Sequence, residues 1–184
     1  MQSKMTKQMV ITAALLALTL VFQNLRLLLP IDAAVSVYLI GTLVNLCLIL
    51  AVGLIGLWSG LTISVAAPLV ALWQGYAKLP LVPYLIVGNI VLVVLYGLLA
   101  VPGWRKTGKL SVVSWGIAGI LAAGVKFAVI AAGVALMTSS AKGTPFAVAL
   151  SAGAVQQVQQ IVTAVIALVL AYLVLPRVKK AARL

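Results

Sequence analysis

The polar side chains of this sequence that could do chemistry are few, and they lie inside long apolar segments. Arg26 and Lys126 are each surrounded by apolar residues, and residues 156–160 read QQVQQ. A charge held deep in a bilayer costs about 2.5–3.5 kcal/mol even on the mildest scale. These residues therefore indicate a water-filled or ligand-filled site, and the two cations suit an anionic or carbonyl-rich ligand.

Residues for catalysis or metal binding are scarce. The chain has no histidine, one cysteine (Cys47) and one acidic residue (Asp32), which lies between apolar segments. A catalytic triad or a metal site needs more such side chains, and membrane proton relays usually need acidic residues within the spans. The sequence also lacks the G-x-x-x-x-G-K-[ST] phosphate loop. We therefore expect no enzyme, no metal, no cofactor and no ATP hydrolysis by this chain.

The elements that must position the polar residues are long apolar helices. Of 184 residues, 65% are hydrophobic and 8% are charged, against about 45–50% and 25% in ordinary globular domains. That is enough apolar sequence for six spans of about 20 residues each. We predict an all-α integral membrane protein with a single domain, 1–184, which forms a six-helix bundle. The predicted spans are residues 10–29, 34–57, 59–75, 82–101, 110–137 and 146–175, with a polar loop at 102–109.

The basic residues predict the orientation of this bundle. The formal net charge is +12, from 13 basic residues and one acidic residue. With six spans, Lys78, Lys142 and Asp32 fall on one side of the membrane. The positive-inside rule then places both termini and the 102–109 loop in the cytoplasm, so the charge indicates orientation and not nucleic-acid binding. Nine basic residues fall on that cytoplasmic side: Lys4, Lys7, Arg105, Lys106, Lys109, Arg177, Lys179, Lys180 and Arg183.

On this topology, polar residues from five helices converge in the outer half of the membrane. At 1.5 Å per residue, Arg26 and Lys126 both lie roughly 24 Å along their helices from the cytoplasmic side. Alternatives stay open: Arg26 can extend to the interface, the aromatic residues can form an interfacial belt, and glutamines or Asn45 can tie helices together. The predicted substrate-binding residues are Asn24, Arg26, Trp73, Gln74, Tyr76, Tyr84, Asn89, Lys126, Gln156 and Gln160.

Two small residues of the first helix predict a packing face. Ala13 and Ala17 are four residues apart, and a small-xxx-small pattern lets another helix approach closely. That helix belongs either to a partner protein or to this same bundle.

The topology, this face and an outer-half site together resemble the substrate-binding S component of energy-coupling factor (ECF) vitamin transporters, over about residues 5–180. The resemblance implies a multi-pass protein of the bacterial cell membrane that captures a vitamin from outside. It also implies docking of Ala13 and Ala17 on a transmembrane coupling subunit driven by two ATPase subunits.

Cobalamin matches the predicted site best among vitamins, because its amides, phosphate and apolar ring suit the amide, basic and aromatic side chains. Pantothenate, folate, a pyridoxine-type vitamin and a queuosine precursor stay open. Two other classes compete: a small membrane protein that is not a transporter subunit, and a self-sufficient secondary transporter. Secondary transporters usually show inverted repeats and coupling-ion carboxylates, and the sequence shows neither.

Overall fold

The computed structural model is helical through most of the residues it describes, which are 4–28, 32–107 and 111–181. Side chains are described for these ranges except residues 4, 26–28, 33, 34 and 105–107. No strand occurs in the described ranges, so the predicted all-α class is confirmed there. The helices are α1 (Lys4–Leu28), α2 (Ala33–Leu54), α3 (Leu57–Trp73), α4 (Val82–Leu99), α5 (Val101–Thr107), α6 (Val112–Lys142) and α7 (Phe146–Ala181), with a 3-10 turn, Leu79–Leu81, before α4.

Most of these helices are long and apolar enough to cross a bilayer. Five segments qualify, while α3 is shorter, with 17 residues. At 1.5 Å per residue α3 is about 25 Å long. By length and composition the chain is a multi-pass membrane protein. The five segments are Met5–Leu25, Val35–Leu54, Leu79–Trp104, Val112–Lys142 and Phe146–Ala181.

Four predicted boundaries differ from the structure by five residues or more, and the first of them is the start of α1 at Lys4 instead of residue 10. The predicted polar loop at 102–109 is wrong over its first part, because Val101–Thr107 forms α5 and buries Val101 and Trp104. Pro102 fits the first turn of α5, where its missing N–H has no helical partner to lose. The fifth predicted span continues five residues further, until Gly143 adopts the left-handed conformation (φ 64°) that often ends helices. The sixth continues through Pro176 to Ala181.

The apolar core occupies one half of the bundle, which we call the α5 end. Here α2 ends, α3 begins, and α4 connects through α5 to α6. Tyr96 of α4 meets Trp115 of α6 edge-on, with ring centroids 4.6 Å apart. The Trp115 Nε1 donates a hydrogen bond to the Leu168 carbonyl of α7 at 3.3 Å. Large apolar side chains thus fill the interior of this half of the bundle. Its fully buried members include Leu48, Ile49, Val52, Ile63, Leu92, Val93 and Leu175.

The opposite half, which we call the α3–α4 end, is where α3 ends at Trp73 and α4 begins at Val82. Helices α4 and α6 approach closely here because Gly133 has no side chain. A Cβ added at Gly133 would lie 2.7 Å from the Tyr84 Cβ and would also overlap its ring. The Tyr84 side chain of α4 therefore packs against α6 at Gly133.

Candidate ligand-binding cavity

A cavity of about 150 Å³ lies between six helices towards the α3–α4 end of the bundle. Each of α1, α2, α3, α4, α6 and α7 contributes at least one lining residue, so the cavity depends on the whole bundle. Its polar lining residues are Gln23, Asn45, Asn89, Lys126 and Gln160, and its remaining lining residues are Ile40, Gly41, Val44, Ala67, Pro68, Ala71 and Leu85.

Among the residues that the structure describes, Lys126 is the one charged residue in the lining of this cavity. Its side chain is 3% exposed, and its Nζ donates a hydrogen bond to the Asn45 Oδ1 at 2.6 Å. The Asn45 Nδ2 in turn donates to the Thr163 Oγ1 at 3.1 Å, and this hydroxyl donates to the Gln159 carbonyl at 2.8 Å. Asn45 therefore ties α2 to both α6 and α7, which confirms its predicted structural role, and it also fixes the ammonium beside the cavity.

No carboxylate neutralises this ammonium among the described residues. Asp32, the sole acidic residue of the sequence, is exposed one residue before α2. Asn45 is 13 residues further along the chain, about 20 Å by helical rise. A lysine ammonium carries three N–H donors, and Asn45 accepts from one of them. The cavity therefore presents a buried positive charge with donors to spare, which is the chemistry of an anion-binding site.

Gln23 lines the same cavity and carries an acceptor without a partner among the described residues. Its side chain is 7% exposed, and its Nε2 donates to the Ala67 carbonyl of α3 at 2.8 Å. That bond fixes the orientation of the amide, because the reversed amide would set two oxygens against each other. The Oε1 is left buried with no hydrogen-bond partner among the described residues.

A smaller cavity of about 40 Å³ adjoins the first. It is lined by Gln23, Ile40 and Ala71, which also line the larger cavity, and by Gln74 and Tyr76. The Gln74 Nε2 donates to the Asn24 Oδ1 at 3.1 Å, which joins the end of α3 to α1. The two cavities therefore share one wall, and their lining residues together form a tract from Lys126 to the α3–α4 end.

The structure brings together about half of the predicted binding residues. Asn89, Lys126 and Gln160 line the larger cavity, while Gln74 and Tyr76 line the smaller one. Asn24 reaches this tract through its bond to Gln74.

The other predicted binding residues lie elsewhere. Trp73 is 86% exposed at the end of α3, a position that suits the alternative of an interfacial belt. Gln156 is exposed on α7, and its neighbour Gln157 is buried instead. Tyr84 packs against Gly133 and lines neither cavity. Arg26 belongs to α1, but its side chain lies outside the described residues.

Sequence reasoning missed Gln23 and assigned Asn45 only a structural role. The structure separates Gln23 from its neighbours, because the buried residues of α1 follow the four-residue spacing of one helix face: Leu15, Thr19 and Gln23. The predicted residue Asn24 is turned about 100° from that face.

Ala13 and Ala17 lie on the outer surface of the bundle. Both are exposed, whereas Leu15 and Thr19 of the same helix are buried against the other helices. The alternative that these alanines pack within this bundle is therefore wrong for the structure described. Their surface belongs to the part of α1 nearer the α5 end, where the Thr12 hydroxyl bonds Ser59 at the start of α3 (2.9 Å).

The described residues contain no group of three or more His, Cys, Asp or Glu side chains that could hold a metal ion. Comparisons with protein-family models, with curated proteins and with solved structures found no match for this chain.

Proposed function

We propose that this chain is the substrate-binding membrane subunit of an ATP-driven vitamin importer of the ECF type. The observation that carries the proposal is the cavity around Lys126, a buried cation without an acidic partner among the described residues. A cost of about 2.5–3.5 kcal/mol for such a charge in a membrane is relieved when an anionic or carbonyl group binds to it. A ligand site is thus the simplest physical reason for this lysine.

In this proposal α3 also crosses the membrane, which brings the number of spans to six. Both termini are then cytoplasmic, and the cavity opens to the outside of a bacterial cell membrane. The distribution of charge supports the orientation. Arg177, Lys179 and Lys180 follow the part of α7 that packs at the α5 end, while Lys78 and Lys142 lie at the opposite end. Positive charge is favoured on the cytoplasmic side.

The size of the cavity favours a smaller ligand than cobalamin. About 150 Å³ is the volume of an engineered protein cavity that holds one benzene ring, and it is below the range of about 300–1,000 Å³ typical of ligand pockets. A corrin ring with its side groups requires several times this space. Among the vitamins considered from the sequence, a one-ring pyridoxine-type molecule is nearest to this volume, although it lacks an anionic group to compensate Lys126.

The energy for uptake comes from other polypeptides in this proposal. The sequence has no phosphate-binding loop, and the exposed face of Ala13 and Ala17 offers a surface for a transmembrane coupling subunit driven by two ATPase subunits. A close helix contact on small residues is a common means of association within membranes.

Co-purification and native mass spectrometry test the proposal together. The affinity-tagged chain, isolated from the organism that encodes it, should bring down a membrane coupling protein and two ATPases, and should retain a small molecule. Liposomes that contain the chain alone should accumulate no substrate. Accumulation without any ATPase, or isolation of the chain with neither partner nor bound small molecule, would overturn the proposal and favour a different class of membrane protein.

A further inference from the structure

We infer that the cavity binds a small carboxylate: a monoanion about one ring in size, with an N–H or O–H donor at the end away from its carboxylate. The inference deepens the proposed function and rests on it only in treating this cavity as the ligand site. It follows from the charge of the lining, the unused donors of Lys126, the unpartnered acceptor of Gln23 and the volume of the cavity.

The charge of the lining favours one negative charge on the ligand. Lys126 is the single charged residue among the described residues that line the two cavities. A monoanion and this ammonium form a neutral pair, whereas a dianion would leave one charge uncompensated in a site of low dielectric constant. A cation would place two like charges together, and a fully neutral ligand would leave the lysine uncompensated. The site is therefore matched to a monoanion.

The hydrogen bonds of Lys126 favour a carboxylate. Asn45 accepts from the ammonium at 2.6 Å, and two further N–H donors remain for two ligand oxygens. Asn45 cannot swing away freely, because its Nδ2 is engaged with Thr163 at 3.1 Å. Asn45 thus acts as a positioning residue for the cation.

Whereas Lys126 requires acceptors, Gln23 requires a hydrogen-bond donor from the ligand. Its Oε1 is buried without a partner, and its amide is held by the Ala67 carbonyl at 2.8 Å. A buried acceptor of this kind is stabilised only when a donor is brought to it. A ligand in the larger cavity, which Gln23 also lines, can supply an N–H or O–H group there.

A matched pair of ligands isolates the contribution of the charge. We choose 4-aminobenzoate and 4-aminobenzamide as probes, because they share one ring and an amine donor and differ in whether the other end is an anion. Binding to the purified full-length chain in lipid nanodiscs is measured by isothermal titration calorimetry. The wild-type chain should bind the carboxylate at least about tenfold more tightly than the amide, since hydrogen bonds between charged groups are the stronger ones.

Three variants test whether Lys126 causes the preference for the carboxylate over the amide. Lys126→Met should abolish the preference for the carboxylate, and Lys126→Arg, which keeps the charge, should retain part of it. Asn45→Asp is nearly isosteric and places a carboxylate within reach of the ammonium, so the cation is neutralised internally and the preference should disappear. This last variant keeps the inference testable if Lys126→Met fails to fold, and thermal unfolding reports the fold of each variant.

Equal binding of the two probes by the wild-type chain would overturn the inference while leaving the proposed function in place. A preference that survives in both Lys126→Met and Asn45→Asp, or failure of both probes to bind at millimolar concentration, would also overturn it. The proposed function fails on different observations: no retained small molecule and no associated ATPases.

Discussion

A single ammonium group sets the character of the cavity, and its partner is an amide. If a carboxylate stood at Asn45, Lys126 would be neutralised inside the protein and would have little to offer a ligand. The amide orients the cation through its Oδ1 at 2.6 Å and leaves the positive charge uncompensated. At this scale the chain retains an unfavourable buried charge where a ligand can relieve it.

Two glutamines one turn apart on α7 give a matched test of the cavity. Gln160 lines the cavity, whereas Gln156 is exposed. Gln160→Leu should weaken ligand binding by roughly 2–12-fold, the loss of a neutral hydrogen bond worth about 0.5–1.5 kcal/mol. Gln156→Leu should leave the dissociation constant nearly unchanged. Calorimetry with the ligand found by native mass spectrometry checks both, and a larger effect at Gln156 would contradict this assignment of the cavity.

Helix α6 provides the corresponding test at the scale of an element. Gly133→Ala should destabilise the fold by about 1–2 kcal/mol, because the added Cβ would lie 2.7 Å from the Tyr84 Cβ, which cannot move without α4. Overpacking of this kind typically costs about 1–3 kcal/mol, and the gain in helix propensity of up to about 1 kcal/mol offsets part of it.

Gly124→Ala is the control on the same helix, since a Cβ there meets nothing within 4 Å. It should be neutral or stabilising by up to about 1 kcal/mol. The free energy of unfolding in detergent measures both variants, and equal values for the two would show that α4 and α6 adapt to the extra methyl group.

The helices also show how far sequence reasoning reaches in this protein. Height along a helix follows directly from residue number, and the prediction that Lys126, Asn89 and Gln160 converge agrees with their place in the lining of one cavity. The direction around the helix axis is harder to predict. Most of these helices are apolar on all faces, and the usual amphipathic signal that marks the inward face is weak. The sequence therefore predicts Gln156 together with Gln160 as binding residues, although Gln156 is exposed.

The short helix α5 was missed for a related reason. Its sequence, VPGWRKT, reads as a polar turn, yet burial of Val101 and Trp104 holds it as a helix. The Trp104 ring also lies 4.7 Å from the Lys179 ammonium of α7. This contact joins residues 75 positions apart, which local sequence patterns do not reveal.

At the scale of the whole molecule, the orientation of the bundle can be tested by labelling single cysteines. Cys47 is fully buried, so the wild-type chain should not react with a membrane-impermeant maleimide and serves as the background. Lys142→Cys should be labelled in intact cells, and Lys180→Cys only after the membrane is permeabilised, because positive charge is favoured inside. Labelling of both positions from the same side would show that α7 does not cross the membrane and would overturn the proposed orientation.

The exposed face of α1 should serve a partner protein. Ala13→Trp or Ala17→Trp should abolish assembly with the coupling subunit and uptake, because a large side chain holds helices apart. Ligand binding to the isolated chain should be nearly unchanged, since both alanines are exposed and lie outside the cavities.

Ala128→Trp, at an exposed alanine of α6, controls for the general effect of a large side chain on the surface of the bundle. Normal transport by either α1 variant, or unfolding of the isolated chain, would remove the docking role. Loss of transport in the α6 control as well would show that the effect is not specific to α1.

The short helix α3 has a consequence for the membrane around the protein. Its 17 residues cover about 25 Å, less than a hydrocarbon core of about 30 Å, while the 31 and 36 residues of α6 and α7 exceed it. Hydrophobic mismatch of this kind is accommodated by local thinning of the bilayer or by tilting of helices. Helix α3 also ends beside the smaller cavity. Local thinning of the bilayer around α3 would therefore bring lipid headgroups and water close to Gln74. Acyl-chain length would then act directly on the end of the bundle that holds the smaller cavity.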